Sequence, residues 1–310
     1  MVIQRPGIYP LSEQEYHADP CPSPSLSSSI ARTLISQSAL HAWFEHPKLN
    51  PAHQAEEDDK FDVGTAAHAY LLQGESRVAV LNYRDWRTND AKAAKALARK
   101  EGKIPLLADR WGEIQAMAEA VRRQLELHEE PPRPLSGGRP ELTLVWQEDG
   151  IWCRARLDWL HDNERTIDDL KTTEGSAQPD AWIRNQLYGN GYDVQAAFYL
   201  RGLRAVLKRD GVFRFVAAES RPPYAASVIG LAPEALELGH KKVEHAIAAW
   251  RHCLESGTWP GYPTRTCWAE VPAWESARWL EQSVRAPGVY RSPVVDDGRP
   301  LDEQLFGPAV

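Results

Sequence analysis

Three side chains in the middle of the sequence have the types needed to cut a phosphodiester bond. Asp169 and Lys171 flank Leu170, and Asp158 lies eleven residues before Asp169. Side chains alternate across a β-strand, so positions i and i+2 project from one face. Asp169 and Lys171 therefore point together if residues 166–171 form a strand, and a paired strand brings Asp158 alongside. Two neighbouring carboxylates repel unless a cation sits between them, and oxygen ligands of this kind suit Mg²⁺, with Mn²⁺ as a substitute. A lysine beside them positions a metal-bound water and stabilises charge on a phosphate. Asp168 also precedes Lys171, but alternation turns it to the opposite face, a structural place. Arg154 and Arg156 share the face of Asp158, where they either contact phosphate or neutralise the carboxylates.

The surrounding periodicity supplies the elements that must hold these groups. Glu141–Trp146 and Ile151–Asp158 alternate as strands do, and Asp149-Gly150 between them is a favoured tight-turn pair, predicting an antiparallel hairpin. A third short strand is predicted at Thr166–Lys171, then helices at Ala181–Leu187 and Tyr192–Leu207 joined through Gly189 and Gly191. A strand pair at Val212–Glu219 and Ala226–Gly230 and an amphipathic helix over Pro233–Cys253 follow. Upstream, Ser25, Ser27, Ser28 and Ser29 cap one apolar periodic stretch, Ile30–Phe44. A polar loop at 45–60 leads to a helix over Thr65–Leu72. Asn89–Gln124 reads as charged helix broken by Gly102 and Pro105, with Lys92, Lys95, Arg99, Lys100 and Lys103 at its start. Beyond Ser256 the chain is rich in Pro, Gly and Trp, and the last twenty residues look loosely ordered. One α/β domain over 1–265 with a loop-rich extension over 266–310 is the economical organisation.

The chain has 310 residues, 43% hydrophobic and 25% charged, with a net charge of −7. That balance excludes a uniformly basic nucleic-acid coat, but not a nucleic-acid enzyme, where local patches matter more than the sum. No run approaches the roughly 18 apolar residues of a membrane span, and the first twenty residues hold no apolar signal core, so a cytoplasmic protein without membrane contact is expected. Four scattered cysteines without a CxxC pair read as free thiols. The twelve tryptophans read mostly as packing and anchoring groups.

An acid-x-Lys strand after a hairpin, with an acid upstream, resembles the active site of the PD-(D/E)XK nuclease superfamily. Gln195-x-x-x-Tyr199 on a helix and His68 one turn into another give the motif order of its RecB-like branch. Ser25-Leu-Ser-Ser28 and Tyr192-Asp-Val-Gln-Ala-Ala197 are similar to the exonuclease VIII (RecE) type. The resemblance implies a restriction-endonuclease-like α/β core, a central mixed sheet flanked by helices, with helical N-terminal additions. It implies that Asp158 and Asp169 ligate a metal, completed by the Leu170 carbonyl, and that His68 is a further ligand or orients one. Glu141 would bind a second ion, Lys171 would hold the attacking water, and Gln195 and Tyr199 would touch DNA or brace the catalytic strand. The family often has Glu where Asp169 stands. Arg32 and Ser28, at a capped helix start, suit a terminal 5′-phosphate, Arg156 another phosphate, and the Lys92–Lys103 stretch a DNA channel. The implied activity is Mg²⁺-dependent exonuclease action on linear double-stranded DNA ends, 5′ to 3′, in recombination or repair. A single-strand annealing partner and a ring-like homo-oligomer go with it. An endonuclease or 3′-end specificity would use the same residues; a silent DNA- or protein-binding relative is the rival from another class.

Overall fold

The computed structural model describes residues 2–53 and 62–285, so residues 54–60 of the expected polar loop at 45–60 and the last twenty residues lie outside it. The chain divides into two compact units, Met1–Gly261 and Tyr262–Val310. The first unit opens with β1 (Gly7–Tyr9), α1 (Glu13–His17), β2 (Leu26–Ser27), α2 (Ser28–Ser36), α3 (Ala39–Glu45) and α4 (Asp62–Gln73). Then come β3 (Val78–Leu81), α5 (Asn89–Lys100), β4 (Ile104–Leu107) and α6 (Ala108–Glu126). The central part is β5 (Gly138–Glu148), β6 (Ile151–His161), β7 (Thr166–Thr173), α7 (Pro179–Trp182), α8 (Tyr192–Leu207), β8 (Val212–Glu219), β9 (Ala226–Gly230) and α9 (Pro233–Ser256).

The hairpin forms where the sequence predicts it. Asp149 and Gly150 both take positive φ, 48° and 80°, which matches the twist of the flanking strands, and β5 pairs with β6 from Glu148↔Ile151 out to Gly138↔His161. The main sheet runs β1-β5-β6-β7-β8-β9, with β2 added on β6. It is mixed: β7 and β8 are parallel, so a crossover must join them, and α7, a π-helical turn over Ile183–Leu187 and α8 make it. One core packs Trp146, Phe198, Leu203 and Trp250 between the sheet and α2, α8 and α9. A second joins Leu170, Val216 and Ala218 of the sheet to Leu71, Met117 and Val121 of α4 and α6. Helices thus cover both faces. Among the described residues no helix is long and apolar enough to cross a membrane. All four cysteines are free.

Several elements differ from the sequence reading. The single helix expected over Ile30–Phe44 is two, because Ser38 caps a fresh start by accepting the His41 N–H. The stretch read as broken helix holds a strand: Ile104-Pro105-Leu106-Leu107 pairs in parallel with β3. Proline is tolerated there because β3 and β4 form a two-stranded sheet whose strands are both edges. Strands β1 and β2 and helix α1 were not expected at all. In the second unit, Ala273–Arg285 forms helix α10, whereas loop was expected, and Trp268, Trp274 and Trp279 are exposed there, so these three do not pack a core.

A buried polar knot fixes β2 against β6. Asp19 accepts the Ser25 N–H at 2.9 Å and the Ser25 hydroxyl at 2.6 Å, and pairs with His46 and Arg154, each at 3.3 Å. Arg154 also donates to the Ser25 carbonyl at 2.8 Å. Burial opposes the Asp19 charge, but His46, Arg154 and Ser25 outweigh it and hold the carboxyl well below the usual carboxylate range. A depressed folded-state pKa stabilises fully above the unfolded value of about 3.9 and is lost as pH falls below it. Asp19→Ala is therefore expected to cost about 3–5 kcal/mol at neutral pH by stranding the buried Arg154 guanidinium. In urea melts the gap between wild type and Asp19→Ala should narrow as pH drops below about 4; a constant gap from pH 7 to 3 contradicts this assignment.

Candidate active site

The candidate site lies where β6 loses its neighbour. β5 occupies one edge of β6 from Gly138↔His161 to Glu148↔Ile151, with the ladder interrupted only at Glu141 and Asp158. On the other edge β7 pairs only at Trp159↔Asp168 and Leu160↔Ile167, and β2 pairs at Leu26↔Cys153 and Ser27↔Arg154. Between these contacts the strands fork. The Leu170 N–H instead donates to Asp158 Oδ2 at 2.8 Å. Continued by one residue past the last paired positions, Pro140↔Trp159 and Trp159↔Asp168, the registers bring Glu141, Asp158 and Asp169 to one rank across β5, β6 and β7. Glu141 has φ of 58°, a left-handed value that a residue with a Cβ adopts only at a cost.

Each acid in the rank has a built partner. His68, from α4, sits with Nε2 2.9 Å from Asp158 Oδ2. Gln195, from α8, donates to Asp169 Oδ1 at 2.6 Å, and Lys171 forms an ion pair with Asp169 Oδ2. Arg156 Nε meets Glu141 at 2.5 Å. The electrostatics follow. Burial, reinforced by the Asp158 charge, pushes Asp169 up to about 6 against the pull of Lys171 and His68. Burial also raises Asp158, yet His68, Lys171 and the Leu170 N–H leave it below its ordinary value. Burial opposes the His68 and Lys171 charges; Asp158 and Glu141 nevertheless raise His68 to about 8, and Asp169 and Asp158 raise Lys171. Burial lifts Glu141 despite Arg156.

These groups line one cavity of about 400 Å³ together with Ser28, Arg32 and Tyr199. Tyr199 is buried beside Ser28, and burial pushes its pKa well up. Arg32 lines the cavity but also donates through Nη1 to the Asn190 carbonyl at 2.8 Å. Arg156, expected at a phosphate, commits a second donor to the Leu11 carbonyl at 2.8 Å and so holds the N-terminal segment. The Leu170 side chain lies in the second core. Asp168 faces away from Asp169 and is held by His161 at 2.6 Å and Arg214 at 2.7 Å. Lys95, expected along a DNA channel, is buried and stacked 4.8 Å from the Trp86 ring centroid. Among the described residues, no three His, Cys, Asp or Glu side chains stand together as a ready-made metal cage.

Several lining groups escaped the sequence reading, among them Glu13, Tyr16 and His17 of α1, Gln73 and Tyr192, and Arg77. For α1 a signal existed, since Ser12-x-x-Glu15 is a capping box that the structure forms in full. Arg77 follows α4 in a single 3₁₀ turn, Glu75–Arg77, and carries no pattern of its own.

The family model of the "PDDEXK-like domain of unknown function (DUF3799)" matches residues 34–268. The chain belongs to this family. The matched part of this PDDEXK-like domain includes the rank of acids, Lys171, Gln195 and Tyr199, while Ser28 and Arg32 precede it. No curated protein matches the sequence. Among solved structures, a protein described as a "Putative exonuclease" from Eubacterium rectale is similar, with 14% identity, a TM-score of 0.54, and coverage of 85% of this chain and 95% of that one. At that identity the likeness is one of fold, and the fold is the mixed sheet flanked by helices of a PDDEXK nuclease-like protein. SSO0001 is similar at 14% identity over 66% of this chain and 97% of that one, with a TM-score of 0.26.

In this PDDEXK-like domain, Gly191 fixes how α8 enters the site. It has φ of +64°, and a Cβ there would stand 2.9 Å from Arg32 Cδ. Gly191→Ala is expected to destabilise the protein by about 1–2 kcal/mol from backbone strain alone. Adding Arg32→Ala should recover part of any excess over that figure in thermal melts. Full stability of Gly191→Ala would show that the turn is less constrained than it looks.

Proposed function

We propose that this protein is a divalent-cation-dependent DNA exonuclease that hydrolyses phosphodiester bonds of linear double-stranded DNA. The observation that carries this reading is the convergence of Asp158, Asp169 and Lys171 at the fork of β6 and β7. Membership of the PDDEXK-like family and the nuclease-like fold support it.

The donor set suits Mg²⁺ or Mn²⁺. Asp158, Asp169 and Glu141 offer hard oxygens, and the first two are close enough for the charge of Asp158 to raise the pKa of Asp169. Asp158 and Asp169 would hold the ion, with the Leu170 carbonyl, Glu141 and His68 as further donors. When bound, such an ion stabilises negative charge on a phosphate and favours deprotonation of water. The protein's own residues supply the rest. Lys171 has a raised pKa, so it acts as an ammonium that orients the attacking water and stabilises charge on phosphorus oxygens, not as a base. Water attacks phosphorus and gives up a proton to solvent, the P–O bond on the far side breaks, and the leaving oxygen takes a proton from solvent to become the free hydroxyl. Gln195 holds Asp169 in place through its amide, and Tyr199 braces α8 on the sheet through the edge-on Phe213 ring.

Action from 5′ ends follows from Arg32 and Ser28 at the start of α2, where a helix N-terminus, a hydroxyl and a guanidinium face the same cavity. The motif order that resembles the RecE-like branch adds a role in recombination, a single-strand annealing partner, a ring-like homo-oligomer enclosing DNA, and a cytoplasmic place of action.

The test is digestion of linear, circular and 5′-labelled duplex DNA with Mg²⁺ and with a chelator. Linear DNA should be consumed from its 5′ ends only with the metal. Asp169→Ala and Lys171→Ala should each slow cleavage by about 10²-fold or more while DNA retention in gel shifts stays near wild type. Equal digestion of circles points to an endonuclease, and unchanged rates in both variants remove the mechanism.

A further inference from the structure

Lys171 carries its charge on a flexible four-carbon stem, and beside two carboxylates such a stem has more than one place to go. Asp169 supplies one restraint. A second comes from aromatic faces. Lys171 Nζ lies 5.0 Å from the centroid of the Tyr192 ring and 6.0 Å from that of Phe215. The rings form a cluster: Tyr192 stacks on Trp182 with centroids 5.5 Å apart and planes inclined by 14°, Tyr192 meets Phe215 at 5.5 Å, and Trp182 meets Phe215 at 5.3 Å. Trp182 and Phe215 are fully buried, whereas Tyr192 is half-buried and lines the cavity. It is the ring that separates the ammonium from the core.

The backbone holds Tyr192 in that place. It is the first residue of α8, directly after Gly191 with its positive φ. The Arg32 side chain packs behind Gly191 and donates to Asn190. The ring is therefore gripped on one side by Trp182 and positioned from behind by the turn.

We propose that Tyr192 is a positioning residue for Lys171: its ring face, together with the Asp169 carboxylate, fixes the place of the ammonium in the cavity. The attraction is that of a cation for the electron-rich face of an aromatic ring. This inference rests on the nuclease reading of the same site. It assigns Tyr192 a task separate from those of Gln195 and Tyr199 on the same helix.

The test uses the full-length protein with Tyr192→Phe, Tyr192→Leu, and a series of increasingly fluorinated phenylalanines at position 192. Fluorination weakens the ring's electron-rich face at nearly constant shape, so a residue that merely packs would not respond to it. On linear duplex DNA with Mg²⁺, Tyr192→Phe should keep the larger part of kcat and Tyr192→Leu should lose about tenfold. The fluorinated series should fall stepwise, with KM and the melting temperature unchanged. Without metal, the Lys171 side-chain methylene signals in NMR should be shifted upfield by the ring in wild type and Tyr192→Phe, and not in Tyr192→Leu. A kcat that ignores fluorination, or a Phe variant as impaired as the Leu variant, overturns the proposal. Should Tyr192→Leu not fold, the fluorinated series decides alone. A wild-type protein that cuts no DNA would instead overturn the nuclease reading, and the proposal with it, even where the NMR shift verifies the contact.

Discussion

Two carboxylates, the buried Asp169 and the partly buried Asp158, lie close together at the point where two strands separate, and the rest of the site is arranged around that repulsion. Left alone, such a pair would take up a proton or push its strands apart. Here the pair is answered from three elements: His68 of α4 and the Leu170 N–H of β7 both meet Asp158 Oδ2, while Gln195 of α8 and Lys171 of β7 meet the two oxygens of Asp169. The answer is incomplete, since Asp169 is still raised to about 6 by its burial and its neighbour. A fold assembled only for stability would do better with apolar residues in these places. Holding a partly uncompensated acid pair at the mouth of a cavity makes sense where something positive, or something that needs negative ligands, arrives there.

The strand fork explains how the pair coexists with a regular sheet. Asp168 and Asp169 are adjacent in sequence and have opposite fates. The first is turned into a closed network with His161 and Arg214 on one side of the sheet. The second opens onto the cavity with Gln195 and Lys171. Period-two geometry alone separates a structural acid from a candidate catalytic one. The same parity sends Leu170 into the core against α4 and α6, anchoring the strand that presents its two charged neighbours.

That parity is why the centre of the site was legible in the sequence. Alternation located β5 and β6, the Asp149-Gly150 pair located their turn, and the spacing of Asp158, Asp169 and Lys171 followed once the strands were placed. Where the sequence was silent or misleading, the reasons are physical. β2 is two residues long and owes its place to a buried polar knot, not to any strand pattern. Pro105 reads as a breaker, which is right for helices, yet an edge strand accepts it. The interruption at Ser38 is a cap that outcompetes an apolar period running through it. Arg156 looked free for phosphate because a sequence does not show that Glu141 stands opposite; Lys95 looked like channel lining because nothing in its own helix reveals Trp86. Arg77 and Tyr192 matter through neighbours distant in sequence, which no local pattern encodes.

The charge balance of the cavity bears on how an acidic chain would attract DNA. Its acids are largely matched one to one: Asp158 with His68, Asp169 with Lys171, Glu141 with Arg156. Those pairs contribute little net attraction for a polyanion. What remains on the cavity wall is Glu13 against Arg32 and Arg77, and a buried Nε on each of these arginines has no hydrogen-bond partner among the described residues. Buried donors left unpaired are costly, and phosphate oxygens are well suited to accept from them. The net charge of −7 therefore says little about DNA. Attraction has to come from a small positive residue at the wall of the cavity, increased by two charges whenever a divalent cation joins Asp158 and Asp169, so that affinity for the substrate and readiness for chemistry would rise together.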